Sequence, residues 1–194
     1  MIYTGRELKE KYGNYQRINK AVESGQLIKL AHGIYIDTDP HLSELEGLFL
    51  RYPNAILTLQ SAFAFYGLSD YVPDKYYIAT TQNAHVISNG KVKQMFITND
   101  IFDIGKQTLE TQYGTINIYD KERLLIELFR LKSKLDYPYF KEIVGSYRQL
   151  MANHELDNHK IVKYCSLFKN GTSLRNHIQE IILWKLLKKW LPIK

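Results

Sequence analysis

Residues 3–36 constrain the fold most, because a helix start, a glycine stop, a second helix and a tight turn follow one another with almost no spare chain. Thr4 and Glu7 have the spacing of a capping box, so a short helix should run through Leu8 and end near Tyr12-Gly13. A second helix is expected over roughly 14–24, with Ile18 and Val22 at i, i+4 as its buried edge, Ala21 helping close packing and Gly25 at its stop. LIKLA (27–31) and IYID (34–37) then read as strands joined at His32-Gly33. Short helix, sharp turn, second helix and hairpin make the outline of a winged helix, which sets its second helix in the DNA major groove. The expected fold class is α+β, with an N-terminal winged helix-turn-helix over 1–38. A mixed α/β C-terminal domain over 41–194 follows and ends in a run of helices.

With Ile18 and Val22 facing inward, Asn14, Tyr15, Gln16, Arg17, Asn19, Lys20 and Glu23 are left to cover the outer surface of that second helix. Gln16 and Asn19 can pair with adenine edges and Arg17 with guanine. Lys20 and Lys29 suit phosphates, which supply affinity rather than sequence information. His32, at the tip of the wing, is placed to meet a phosphate or the minor groove.

Asp37–Pro40 is a turn-rich break. After it comes an amphipathic helix with Leu42, Leu45, Leu48 and Phe49 on one side. A buried strand over 55–59, a short helix over 61–67 closed by Gly67, and a strand over 75–80 follow. Strand-like segments VIS (86–88), KVKQMFI (91–97) and TINIY (115–119) are separated by turn signals at Asn89-Gly90, Gly105 and Tyr113-Gly114. From Asp120 the hydrophobic period lengthens from two to about 3.6. Helices are expected from Asp120, from Pro138, over about 156–168 and over about 173–191. Asp120 and Glu122 sit where carboxylates favour a helix N-terminus, so Asp120-Lys121-Glu122-Arg123 reads as a helix start. Ser61 and Tyr66 read as packing or capping residues.

Hydrophobic residues make up 45% of the 194, enough for a buried core. The one cysteine, Cys165, lies in an apolar run; it reads as a core residue, rules out an internal disulfide and fits a reducing cytoplasm. The polar start at Tyr3–Lys11 does not resemble a signal peptide, and no apolar run is long enough for a membrane span. Of the net charge of +6, the C-terminal end carries a large share: eight bases from Lys160 to Lys194 face only Glu180, while 41–120 holds eight acids and five bases. That basic end suits a polyanionic partner. Its last helix, with Ile178, Ile181, Ile182, Leu183, Trp184, Leu186, Leu187, Trp190 and Leu191 around much of its circumference, reads as core, with Lys185, Lys188 and Lys189 as a wet edge.

Nothing in the chain carries an enzyme signature. A metal-dependent nuclease needs clustered carboxylates; the one tidy acid-x-Lys triplet, Glu7-Leu8-Lys9, lies on a helix read as part of the DNA-binding unit, and Asp74-Lys75 has no obvious acidic companion nearby. No HExxH is present, His154 and His159 are off the i, i+4 zinc spacing, and no phosphate-binding glycine loop of the GxxxxGK[ST] type occurs. No metal, cofactor or catalytic residue is therefore expected. The alternatives kept open are a winged-helix regulator without a protein partner and a nuclease fused to a winged helix.

GNYQRINKAVESGQLIKLAHGIYI (13–36), SAFAFYGLSDYVPDKYYIAT (61–80) and IYDKERLLIELFRLKSKLDYPYFKEIVGSYR (118–148) together resemble, in order and spacing, blocks of the AbiEi-family antitoxins. The resemblance implies an antitoxin of a type IV toxin–antitoxin system of abortive phage infection. Its winged helix would bind double-stranded DNA at repeated sites in its own promoter and repress it. Its C-terminal domain would counter a toxin resembling a nucleotidyltransferase and add to repression, with direct contact to the toxin left open. Many relatives carry an additional helix ahead of the capping box, which is short or missing here. Within the best-matched block, Arg123, Arg130, Lys132, Lys134, Lys141 and Arg148 are the candidates for an antitoxic or DNA-backbone surface, several sharing faces at i, i+4 or i, i+7.

Overall fold

Thr4 and Glu7 close the expected capping box: the Glu7 amide donates to Thr4 Oγ1 (3.3 Å) and the Thr4 amide to Glu7 Oε2 (2.6 Å). This starts α1 (Gly5–Tyr12), which ends at Gly13, where φ is +85° and the amide donates to the Lys9 carbonyl. Asn14 then caps α2 (Tyr15–Glu23) by accepting from the Arg17 amide at 2.9 Å. Gly25, at φ +76°, turns the chain into β2 (Leu27–Ala31) and β3 (Ile34–Asp37), joined through His32-Gly33. A strand that the sequence pattern does not announce, β1 (Ile2–Thr4), pairs antiparallel with β3, giving a sheet of order β1-β3-β2. Tyr3 locks this pairing by donating its hydroxyl to Asp37 at 2.8 Å. Leu8, Ile18, Ala21, Leu27 and Tyr35 form the core between helices and sheet, with Val22 packed against it.

In this computed structural model residues 2–37, 44–111 and 114–183 are described. Residues 38–40 of the expected break at Asp37–Pro40, Leu42 and the span Trp184–Leu191 lie outside them. By their contacts the residues group into two units, Met1–Asn54 with Thr108–Ile116 and Ala55–Gln107 with Asn117–Lys194. Helix α3 (Glu44–Arg51), burying Leu48 and Phe49, belongs to the first.

The larger sheet has the order β6-β5-β4-β8-β7, built from β4 (Ile56–Leu57), β5 (Tyr76–Thr81), β6 (Val92–Ile97), β7 (Lys106–Thr111) and β8 (Gly114–Tyr119). β4 pairs antiparallel with β5 and parallel with β8, and β5 runs parallel to β6. Ile56 and Leu57, on the central strand, are both fully buried, as a strand flanked on either side requires. This strand is shorter than the expected 55–59, because Thr58 stands at the N-cap of α4 (Leu59–Phe65). VIS (86–88) is not a strand. The Gln94 side chain holds that segment instead, accepting from the Ile87 amide and donating to the His85 carbonyl and the Thr80 hydroxyl. A short helix that the sequence pattern does not announce either, α5 (Asn99–Phe102), precedes β7.

Asp120 caps α6 (Lys121–Arg130), and Pro138 sits in the first turn of α7 (Tyr137–Ala152). Between them Lys132–Lys134 form a single 3₁₀ turn. Asp157 caps α8 (Asn158–Ser166), and α9 (Gly171–Ile178) runs on into a π-type turn over Gln179–Leu183. Cys165 is buried and unpaired. The chain is a mixed α+β protein.

The second unit is organised around Arg123, whose side chain has no exposed surface. Its Nε and Nη2 lie 2.9 and 2.8 Å from Glu127 Oε1, and Nη1 donates to the carbonyls of Ile101 (2.6 Å) and Ile104 (3.1 Å). The rings of Tyr119 and Phe168 flank the guanidinium at 4.6 and 4.9 Å. Arg130 reaches the same carboxylate from outside, at 2.7 Å. Removing one partner of a buried pair strands the other charge. Glu127→Ala should therefore cost about 3–5 kcal/mol in denaturant unfolding. Arg130→Ala, which removes only the outer cation, should cost less than about 1 kcal/mol.

Candidate nucleic-acid interface

α2 divides cleanly. Ile18 and Ala21 are buried and Val22 half-buried, whereas Tyr15, Gln16, Arg17, Asn19 and Lys20 are exposed. At about 100° per residue, Gln16, Asn19, Lys20 and Glu23 form one stripe opposite Ile18, with Arg17 on its flank. The expected outer face is thus assembled on a helix whose packing does not involve it. Lys29 on β2 and His32 in the hairpin turn are exposed as well. That turn is tied to α1, because the Gly5 amide donates to the Gly33 carbonyl at 2.6 Å. Only a residue tolerant of positive φ suits Gly33, which sits at +73°.

Asn14 has a different job from its neighbours. Its Oδ1 is committed to the helix cap, so it starts α2 rather than lying along its surface. The sequence pattern gave no reason to include α1, which adds cations to this unit. Lys9 Nζ stands 5.7 Å from the Tyr15 ring centre, and Lys11 Nζ lies over Tyr3 (4.8 Å) and Tyr12. The i, i+6 separation of Lys9 and Tyr15 gives no helical cue, since a turn intervenes. Two of the unit's acids are occupied internally: Glu7 by Thr4, whose hydrogen bonds hold its carboxyl below the ordinary range, and Asp37 by Tyr3.

The candidate basic surface of the second unit needs correcting. Arg123 is not on a surface; its charge is spent on Glu127 and two carbonyls in the interior. Arg148 is half-buried and donates through Nε and Nη2 to the Ile181 carbonyl. Lys132, Lys134 and Lys141 are exposed, and Arg130 is exposed beside Glu127. The end of α6 and the 3₁₀ turn separate Arg130 from the residues after it, so the i, i+4 and i, i+7 steps across that break do not define one helical face. Lys132 rests over Phe140 and Lys141 over Tyr137.

The acids at the start of α6 have structural work. Asp120 Oδ1 accepts from the Arg123 amide, and its Oδ2 accepts from Tyr164 (3.0 Å) and Lys160 (3.5 Å). Burial, and then the Asp120 charge, push the Tyr164 phenol up to about 12, which keeps it a donor. Glu122 accepts from the Asp157 amide at 2.8 Å. Ser61 accepts from the Tyr77 amide, so it packs and bonds as expected. Among the described residues no three His, Cys, Asp or Glu side chains come together as a metal site, and no helix is long and apolar enough to cross a membrane.

No protein-family model and no curated protein matches the chain. Among solved structures it is similar to the RV2827C protein from Mycobacterium tuberculosis, with a TM-score of 0.62 and 13% identity over 94% of this chain and 76% of that one. At that identity the likeness is one of fold.

The cap and the exposed face can be separated experimentally. Asn14→Ala should destabilise the protein by about 1 kcal/mol in denaturant unfolding, and Asn14→Ser should restore most of that loss. Equal stability of wild type and Asn14→Ala would show that the cap contributes nothing.

Proposed function

We propose that α1, α2 and the β2–β3 hairpin act as a winged helix that binds double-stranded DNA at repeated sites in the protein's own promoter and represses it. The observation that carries this reading is the division of α2: the residues able to pair with base edges, Gln16, Arg17 and Asn19, are all exposed, while its apolar residues are turned into a core. Lys20 and Lys29, exposed on the same unit, supply phosphate contacts, and His32 extends from the wing. Helix order and turn lengths support the reading, since the tight joint at Gly13-Asn14 separates two short helices of the right size for a groove about 12 Å wide.

The resemblance to AbiEi-family antitoxins supports the second half of the proposal. The chain is read as a non-enzymatic antitoxin of the cytoplasm whose C-terminal part opposes a nucleotidyltransferase-like toxin. Arg130, Lys132, Lys134 and Lys141, the exposed members of the candidate set, are the residues to reverse in charge when toxin rescue is assayed.

Replacing Arg17 and Lys20 together by alanine should weaken binding to the upstream duplex. It should also flatten the plot of log affinity against log salt by about 0.9 for each DNA phosphate no longer neutralised. Unchanged affinity and slope, in a variant with wild-type unfolding, would take α2 out of the interface.

A further inference from the structure

Residues from the start of α5, the end of α6, the stretch 167–170 and α9 line a cleft of about 460 Å³ that lies within the second unit. Small-molecule sites run from roughly 300 to 1,000 Å³, so its size is that of a ligand pocket. The charge beside it is unbalanced. Arg123 and Arg130 share the single carboxylate of Glu127, and the other hydrogen-bond partners of Arg123 are neutral carbonyls. One positive charge of these three groups is left over. Asp120 and Asp103 do not answer it, because the first is paired with Lys160 and the second with Lys106. Arg130 presents that surplus: Arg123 has no exposed surface, whereas the Arg130 side chain keeps 34% of its own and lines the cleft.

Lys169 adds a second, exposed cation to the lining. Asp100 is the one acid among the lining residues. Its carboxyl is held below the ordinary range, first by a hydrogen bond from the Thr98 side chain and least by the Lys169 charge, so it is already engaged. Two neutral side chains complete a set of donors. His177 Nδ1 stands 2.9 Å from the Ser173 carbonyl oxygen, which only accepts, so this nitrogen carries the proton. Ser173 Oγ, 3.5 Å from the same nitrogen, can then only accept from it, and the hydroxyl proton is left for a ligand. Asn170 stands at the N-cap of α9 without a side-chain cap bond, so its amide is not spent on the helix.

Two cations and two neutral donors suit a phosphate monoester, which brings nearly two negative charges and three acceptor oxygens, better than a carboxylate with one charge and two oxygens. The remaining wall is apolar. Phe129 is half-buried there and Leu167 is 50% exposed. A bare anion leaves that surface in water, whereas an apolar ring on the ligand removes it.

We propose that this cleft binds a small phosphate monoester with an aromatic body, such as a mononucleotide. Arg130, Lys169, Ser173 and Asn170 hold the phosphate, and the ring lies against Phe129 and Leu167. Every residue used belongs to the second unit, so binding here is independent of the DNA-binding reading. Arg130 is also among the residues to be reversed in a toxin-rescue assay, but ligand affinity is read without the toxin.

The test is NMR titration of the full chain, read at the amide signals of 167–177, with phenyl phosphate, AMP, inorganic phosphate and benzoate as probes. Phenyl phosphate and AMP should shift those signals saturably, and each should bind about tenfold more tightly than inorganic phosphate or benzoate. Arg130→Ala, which costs the fold little, and Lys169→Gln, at an exposed position, should each weaken AMP by about tenfold. Asp100→Asn should tighten it, a gain that damage to the fold would not produce. No saturable shift with either monoester would overturn the proposal. So would inorganic phosphate or benzoate binding as tightly as phenyl phosphate, or wild-type affinity for AMP in both Arg130→Ala and Lys169→Gln.

Discussion

Arg123 holds a charge where water does not reach it, and the pairing this demands runs through much of the second unit. A buried guanidinium must find acceptors for its donors, and here they come from Glu127 one turn on and from two carbonyls of the stretch around the end of α5. For those carbonyls to face α6, that stretch must approach it closely. Gly105 permits this: it sits at φ +75°, and a Cβ there would fall 2.5 Å from Arg123 Cβ and 2.8 Å from Asp120 Oδ1. Its carbonyl accepts from the Asp120 amide at 2.7 Å. Asp120 in turn caps α6 and takes Tyr164 and Lys160 from α8. The guanidinium thus ties α6 to the stretch around the end of α5, and Asp120 beside it ties α6 to Gly105 and to α8.

The first unit is held by different means. Its stability rests on a small apolar cluster, a capping box and the Tyr3–Asp37 bond that closes β1 onto β3. None of these uses the outer stripe of α2. Gln16, Asn19 and Lys20 are therefore exposed and outside this packing, while Ile18 and Ala21 answer to folding. This separation lets the outer stripe of α2 change without loss of the scaffold beneath it.

Local chemistry was legible in the sequence, and long-range chemistry was not. The capping box, the Asn14-led helix, the Gly25 stop and the Asp120 cap each depend on residues within four positions, and all four form as expected. β1 carries no such signal, because its three residues gain strand character only by pairing with β3 far along the chain. VIS (86–88) has the composition of a strand, but a glutamine side chain satisfies its backbone instead. Arg123 is the most consequential difference. Its i, i+4 partner Glu127 is visible in the sequence, yet that spacing is equally common on exposed helix faces, and only the distant carbonyls of Ile101 and Ile104 make the site an interior one.

What the first unit binds is the most direct test of its role. Affinity of the purified full chain should be measured for the duplex upstream of its own gene and for a scrambled duplex of equal length and composition, across a salt series. A DNA-binding winged helix predicts preference for the upstream duplex that persists near physiological salt, above a salt-sensitive background common to both. Equal binding to the two duplexes at every salt concentration would contradict it.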